Sequence, residues 1–473
     1  MTQETDIKFG TDGWRAIIGD TYTFANVERV AAATAAWLGK TASGSSSVVI
    51  GYDTRFEGSA FALAAARVIA GMGVHVYLGD AFTTTPAVSW ATNALGCDAG
   101  VVITASHNPP AYNGYKLKAS FGGPATPDQI TAVEKEIPGE RPRDVPSAES
   151  LVKTGAIELI DLNSRYLDAI ARLIDLEAIR TSGLSIAYDA MFGSGQGMMT
   201  RLLSSKQVLT IHDDHNPGFH GQAPEPIERN LGELSKLVRE SGCDVGLATD
   251  GDGDRIGLYD ENGAFVDAHR IMALLFQFLV EERHLRGDVV KSFAATDLLD
   301  KMGAAYGLKV ETTKVGFKYI ASRMVEGNVL VGGEESGGIA VAGHIPERDG
   351  IYAGLLMVEM MVKTGKSLST LVTELMTTFG QHHAYRRDLR LSQDVKDRFM
   401  NRLETDGLDR VAGQKVTSLD DLDGLKFRTE NGGWVMIRPS GTEPVLRVYS
   451  EADSPDGAEA LVNDVAAMVG AGK

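Results

Sequence analysis

Three times along the chain a short apolar run ends at a polar or charged loop beside a helical stretch, and this repeat restricts the fold more than any other feature. In the first round the strand Val48–Gly51 ends on Asp53 and Arg55, before an alanine-rich helix (Phe61–Gly71) and the strand Val74–Leu78. In the second, a helix around Asn163–Asp175 precedes the strand Leu184–Tyr188, which ends on Asp189. The third runs through a helix Ile271–Glu282, a strand Val289–Phe293 and a loop Ala294–Asp297. Strands alternating with helices predict α/β layers, three of them in succession. Gly193, Gly195 and Gly197 are not spaced as G-x-G-x-x-G, so they mark a tight strand-to-helix turn. After about Thr378 the texture changes, and Asp388–Leu391, Leu425–Arg428, Trp434–Arg438 and Val445–Tyr449 read as strands of an α+β domain with an antiparallel sheet.

With 473 residues the chain exceeds one ordinary core. The expected division is 1–148, 149–262, 263–376 and 377–473, the first boundary lying in the Pro-, Glu- and Arg-rich stretch from Pro138 to Ser150. A net charge of -17 argues against nucleic acid or an anionic membrane as a partner. Cys97 and Cys243 support neither a disulfide framework nor a zinc site. The polar start MTQETDIK lacks a signal-peptide core, and the apolar run near Ile271–Val280 is too short to span a bilayer. A cytoplasmic protein is expected, as a monomer or homodimer.

Four loops carry chemistry. Val101–Ile103 reads as a buried strand, and the turn after it sets Ser106 beside His107 ahead of Asn108-Pro109-Pro110. Pro109 stiffens that loop, which suits Ser106 to be a nucleophile or phosphate carrier; turn capping by Thr104, Ser106 and Asn108 is the alternative. Asp250, Asp252 and Asp254 alternate with glycines between the strands Val245–Ala248 and Ile256–Tyr259, a pattern that converges on a hard cation such as magnesium. Arg255 stands where a calcium loop needs glycine. Lys314-Val-Gly-Phe-Lys318 brings two cations around Gly316, either as a phosphate or hydroxyl contact or as a basic helix start. Glu334, Glu335 and Ser336 in GEESGG suit the vicinal hydroxyls of a sugar, and His344, Arg348 and Asp349 border that region. Finally, Arg438, Ser440, Gly441 and Thr442, with Arg447 beyond them, offer the charged fork and neutral donors a phosphate monoester needs.

Taken in order, TASHNP, DGDGDR, GEESGG and RPSGTEP resemble the α-D-phosphohexomutase superfamily over nearly the whole chain. The resemblance implies three similar mixed α/β domains and a smaller α+β C-terminal domain around a central cleft. It implies that Ser106 is phosphorylated at rest and that Asp250, Asp252 and Asp254 hold Mg2+, with the Ser106 phosphate as a further ligand. Arg15 in FGTDGWR resembles the family's active-site arginine, Arg255 stands beside the metal, and Lys116 and His107 are the candidates for proton transfer, with Lys116 preferred. Lys314, Gly316, Lys318, Glu334, Ser336 and His344 would contact the sugar, while Arg438, Ser440, Gly441, Thr442 and Arg447 would grip the phosphate that is not reacting. The implied reaction interconverts glucose 1-phosphate and glucose 6-phosphate through glucose 1,6-bisphosphate, which also serves as activator. A mannose or dual glucose/mannose activity is the alternative, with glucosamine behind it, because glucosamine mutases typically carry glutamine and histidine where this chain has Glu335 and Gly338. A metal phosphatase would leave Ser106 and the sugar loop unexplained, and a non-catalytic sugar-phosphate sensor would be expected to lack Ser106 or a metal carboxylate, both of which are present.

Overall fold

A computed structural model describes residues 7–41, 44–440 and 445–471, which form two compact units. The first unit comprises residues 1–287 and 316–369, and the second 288–315 and 370–473.

The first unit opens with a six-stranded mixed sheet in the order Trp14–Ile17, Tyr112–Ala119, Ala99–Ile103, Ser47–Tyr52, His75–Gly79, Ile157–Ile160. Its central strands are apolar on both sides because both faces are covered. Val48, Ile50, Val101 and Ile103 pack with the helices Phe24–Thr41 and Gly58–Gly71, while Val49 and Val102 pack on the other face with Val88 and Ala91 of the helix Thr85–Ala94. The alternation of strand side chains thus sorts one β-branched run into two cores. The three central strands are parallel, but Tyr112–Ala119 runs antiparallel to Ala99–Ile103, with Val102 opposite Lys116. Lys116 therefore stands within a strand, and Arg15 lies within the strand Trp14–Ile17.

A second sheet has the order Phe265–Val266, Ile256–Asp260, Val245–Thr249, Ile186–Asp189, Val208–Ile211. Leu234 and Val238 of the helix Gly232–Ser241 cover Ala187 and Ala248 on it. The helix expected over Asn163–Asp175 stops at Ile170, and the chain restarts as a separate helix, Leu176–Thr181, capped by the Asp175 side chain. The third layer contributes the antiparallel pair Val329–Gly333 and Ile339–Val341 with the helices Ala268–Glu281 and Gly350–Thr364. In every layer a polar loop follows the carboxyl end of a strand, where α/β sheets place their ligands.

The second unit holds the parallel pair Asp288–Ser292 and Val310–Thr313 and an antiparallel sheet of six strands. The sheet order is His383–Arg390, Val445–Ala452, Trp434–Pro439, Leu425–Thr429, Gln414–Asp420, Arg410–Val411. The helix Pro455–Ala471 and the helix Gln393–Asp406 supply its core through Leu461, Val465, Phe399 and Leu403. No helix among the described residues is long and apolar enough to cross a membrane.

Candidate active site

Ser106 lies at the end of the strand Ala99–Ile103 in a left-handed conformation (φ 53°), fully buried. Its Oγ donates to Asp250 Oδ2 at 2.8 Å and lies 3.3 Å from His107 Nδ1. Asp250, Asp252 and Asp254 are wholly buried, with one carboxylate oxygen from each within 4.8 Å of the others.

Three carboxylates this close cannot all ionise comfortably. Burial, together with the charges of Asp252 and Asp254, pushes the Asp250 carboxyl well above its usual range. Burial also opposes the charge on Asp252, but Lys116 outweighs it and holds that group low. Asp252 Oδ1 and Asp254 Oδ1 are buried without a hydrogen-bond partner. Orphaned oxygens in a hard, all-oxygen donor set fit a divalent cation, and the triad could hold one. Backbone N–H groups of Asp254 and Arg255 donate to Asp250 Oδ1 at 2.9 and 3.0 Å, and Thr85 Oγ1 donates to Asp252 at 2.5 Å, so the loop is held in place from outside.

Lys116, buried on its strand, reaches Asp252 at 2.7 Å, Asp254 at 3.0 Å and Asp12 at 2.8 Å. Burial disfavours the ammonium ion, yet these carboxylates raise the Lys116 pKa well beyond the ordinary lysine range. Asp12 also accepts from Arg348 at 2.6 Å, and Arg348 pairs with Asp254 at 2.8 Å. Arg15 Nη1 donates to the Asn108 side chain at 2.8 Å. The sequence alone does not single out Asp12, nor does it give Arg348 a role at this centre. They stand 336 positions apart, and only the fold brings them together.

Arg255 contributes its backbone to the triad, but its guanidinium turns to Glu225 at 3.5 Å. In the sugar loop Glu334 is buried and accepts from the Gly316 N–H at 2.9 Å. Burial and the neighbouring Glu335 push its carboxyl up to about 7. Ser336 is half-buried two positions further on, and Lys318 lies in the first turn of the helix Phe317–Glu326, so this lysine does mark a basic helix start. Lys314 is exposed and belongs to the second unit. His344, expected at the sugar, has its Nε2 2.8 Å from Asp349, a carboxylate that also accepts from Tyr166 and caps the helix Gly350–Thr364. Its side chain is 3% exposed, so it serves a buried network. Gly338 is hemmed in, since a Cβ there would lie 2.4 Å from Arg348 Cδ.

In the second unit, Arg438 faces Arg447 across the ladder and Arg438 Nε donates to Asp423 at 3.1 Å. The Ser440 carbonyl accepts from the buried Lys396 at 3.2 Å. Gly441 and Thr442 lie outside the described residues.

Comparison with known families gives four matches in chain order, each described as phosphoglucomutase/phosphomannomutase. Alpha/beta/alpha domains I, II and III match residues 6–144, 164–263 and 267–379, and the C-terminal domain matches 395–468. A "Phosphoglucomutase/phosphomannomutase" of Thermococcus kodakarensis is 32% identical over 452 residues, covering 95% of each chain. A "Probable phosphoglucosamine mutase" of Pyrococcus furiosus is 32% identical, covering 98% of this chain and 97% of that one. Among solved structures, that of a "putative phosphomannomutase" from Thermus thermophilus is similar with a TM-score of 0.87 and 35% identity, over 99% of this chain and 100% of that one.

Proposed function

The chain belongs to the phosphoglucomutase/phosphomannomutase family of the α-D-phosphohexomutase superfamily, and from that premise we propose that it moves a phosphoryl group between O1 and O6 of both glucose and mannose phosphates. The observation that carries this reading is the serine hydroxyl hydrogen-bonded to one carboxylate of a buried triad that shares its other members with Lys116. A glucose-only activity, the first expectation from the resemblance, has less support than the dual one, because these relatives are named for mannose, dual or glucosamine substrates.

Ser106 carries the phosphoryl group in the resting enzyme. Transfer breaks the P–Oγ bond and forms a P–O bond to the sugar hydroxyl, giving a hexose 1,6-bisphosphate; return of the other phosphate to Ser106 completes the cycle. Magnesium, when held by Asp250, Asp252 and Asp254, supplies positive charge against the phosphoryl oxygens. The sugar's proton passes to Ser106 Oγ as that oxygen departs, through Lys116 or through His107, whose Nδ1 lies 3.3 Å from Oγ. Glu334 receives sugar hydroxyls, and Arg438 with Arg447 holds the idle phosphate.

Glucosamine phosphate is the second reading, favoured by the name of the Pyrococcus relative. Against it stands Gly338, where Arg348 fills the space a histidine would need. The test is a side-by-side assay of glucose, mannose and glucosamine 1-phosphates with magnesium and a trace of glucose 1,6-bisphosphate. Turnover of glucose and mannose, abolished by Ser106→Ala, is expected. Preference for glucosamine would replace the sugar assignment, and activity that survives Ser106→Ala would remove the phosphoserine.

A further inference from the structure

An arginine beside a phosphate-carrying serine invites a role in neutralising the phosphate. Arg55 is such an arginine, yet its donors point elsewhere. Nη1 donates to the carbonyls of Pro109 and Tyr112, both at 2.9 Å, and Nη2 to those of Ser106 and Asn108, both at 2.6 Å. All four Nη hydrogens are spent on main-chain oxygens of one loop. The guanidinium has no exposed surface, lies 5.0 Å from the ring centroid of Phe219, and places Nε 3.2 Å from Asp53.

The other side of Ser106 is held through the same pair. The Ser106 N–H donates to Thr104 Oγ1 at 2.8 Å, and Thr104 donates in turn to Asp53 at 2.5 Å. Both backbone groups of Ser106 are thus tied into one ring that closes through Asp53 and Arg55. Left-handed backbone is unfavourable for a serine, and it persists only where the surroundings over-determine it.

We propose that Arg55 is a positioning residue, which with Asp53 and Thr104 fixes the backbone of Ser106 so that its Oγ meets the carboxylate triad in one geometry. This rests on the phosphoserine reading above and extends it to the residues that hold the carrier still. Lysine has no planar fork and cannot serve four carbonyls at once.

The test uses the full chain with Arg55→Lys and, independently, Thr104→Val, which removes one hydroxyl at nearly constant volume. Hydrogen exchange of the peptide spanning residues 104–112 is measured on unphosphorylated protein, with the rest of the chain as internal reference. Steady-state kinetics then separate kcat from KM. Exchange in the loop should quicken about tenfold or more, and kcat should fall about tenfold to a hundredfold, as misplacement of a reacting group predicts. KM should stay within about threefold, since the sugar and phosphate contacts are untouched. If Arg55→Lys does not fold, Thr104→Val carries the same expectations. Unchanged loop exchange overturns the clamp, and faster exchange with kcat intact overturns its role in catalysis. Failure of the mutase reading would show separately, as a wild type that turns over no hexose phosphate, while the exchange measurement still decides the clamp.

Discussion

Arg438 and Arg447 occupy directly opposed positions on neighbouring antiparallel strands. Like charges placed so are destabilising, and Asp423 offsets the charge of Arg438. An anion seated between the two guanidinium groups would turn the remaining repulsion into binding energy. Arg447→Ala should raise KM for hexose phosphate about tenfold or more, the loss expected for a charged hydrogen bond, while Ser106 is still phosphorylated to the wild-type extent. Steady-state kinetics beside intact-mass measurement would check this, and an unchanged KM would take the phosphate grip away from this pair.

The buried triad makes a prediction that needs no substrate. Asp250→Asn removes one of three mutually repelling carboxylates, so in chelator the variant should melt above the wild type by about 2–5 °C. Added magnesium should raise the wild-type Tm and leave the variant nearly unmoved. Thermal melts with and without the ion decide it; a wild type indifferent to magnesium would mean that the triad is not a cation site.

Lys116→Met should lower kcat by about 10²–10⁴, the usual worth of a positioned acid or base. Rapid-quench kinetics starting from phosphorylated protein would show whether the transfer step itself is slowed. A kcat within a few-fold of wild type would shift the acid role to another group.

Glu334 has its carboxyl raised from about 4.5 to about 7. A raised acid stabilises the fold while protonated, so its contribution is complete below the unfolded value and is lost as pH climbs through the folded one. Between pH 4.5 and 7 the wild type should therefore lose up to about 3 kcal/mol relative to Glu334→Gln. Denaturant unfolding of both proteins at several pH values measures the difference, and parallel curves would mean that the carboxyl is not desolvated as described.

The chemistry-bearing loops were legible because each follows an apolar run and concentrates residues that turns alone do not need. Ser106, Lys116 and the three aspartates do come together, and the α/β layers and antiparallel terminal sheet were readable from strand–helix alternation. The strand Tyr112–Ala119 was not, because Lys116 and Lys118 look like solvent-facing residues until Asp12, Asp252 and Glu347 are seen to meet them inside the protein. The partner of His344 was not legible either, since the carboxylate its ring meets, Asp349, is buried beside Tyr166 from a distant helix. Arg55 could be read only as the end of a strand, since the carbonyls it serves lie over fifty residues away.

The tight fit of Gly338 against Arg348 also constrains how this chain could change over generations. Any side chain at position 338 collides with an arginine that Asp12 and Asp254 already hold. A side chain acquired there therefore displaces Arg348, and moving it away from Asp12 and Asp254 would take one counter-charge from the acidic loop. The two positions are thus coupled, and a switch of sugar by that route begins with a handicap.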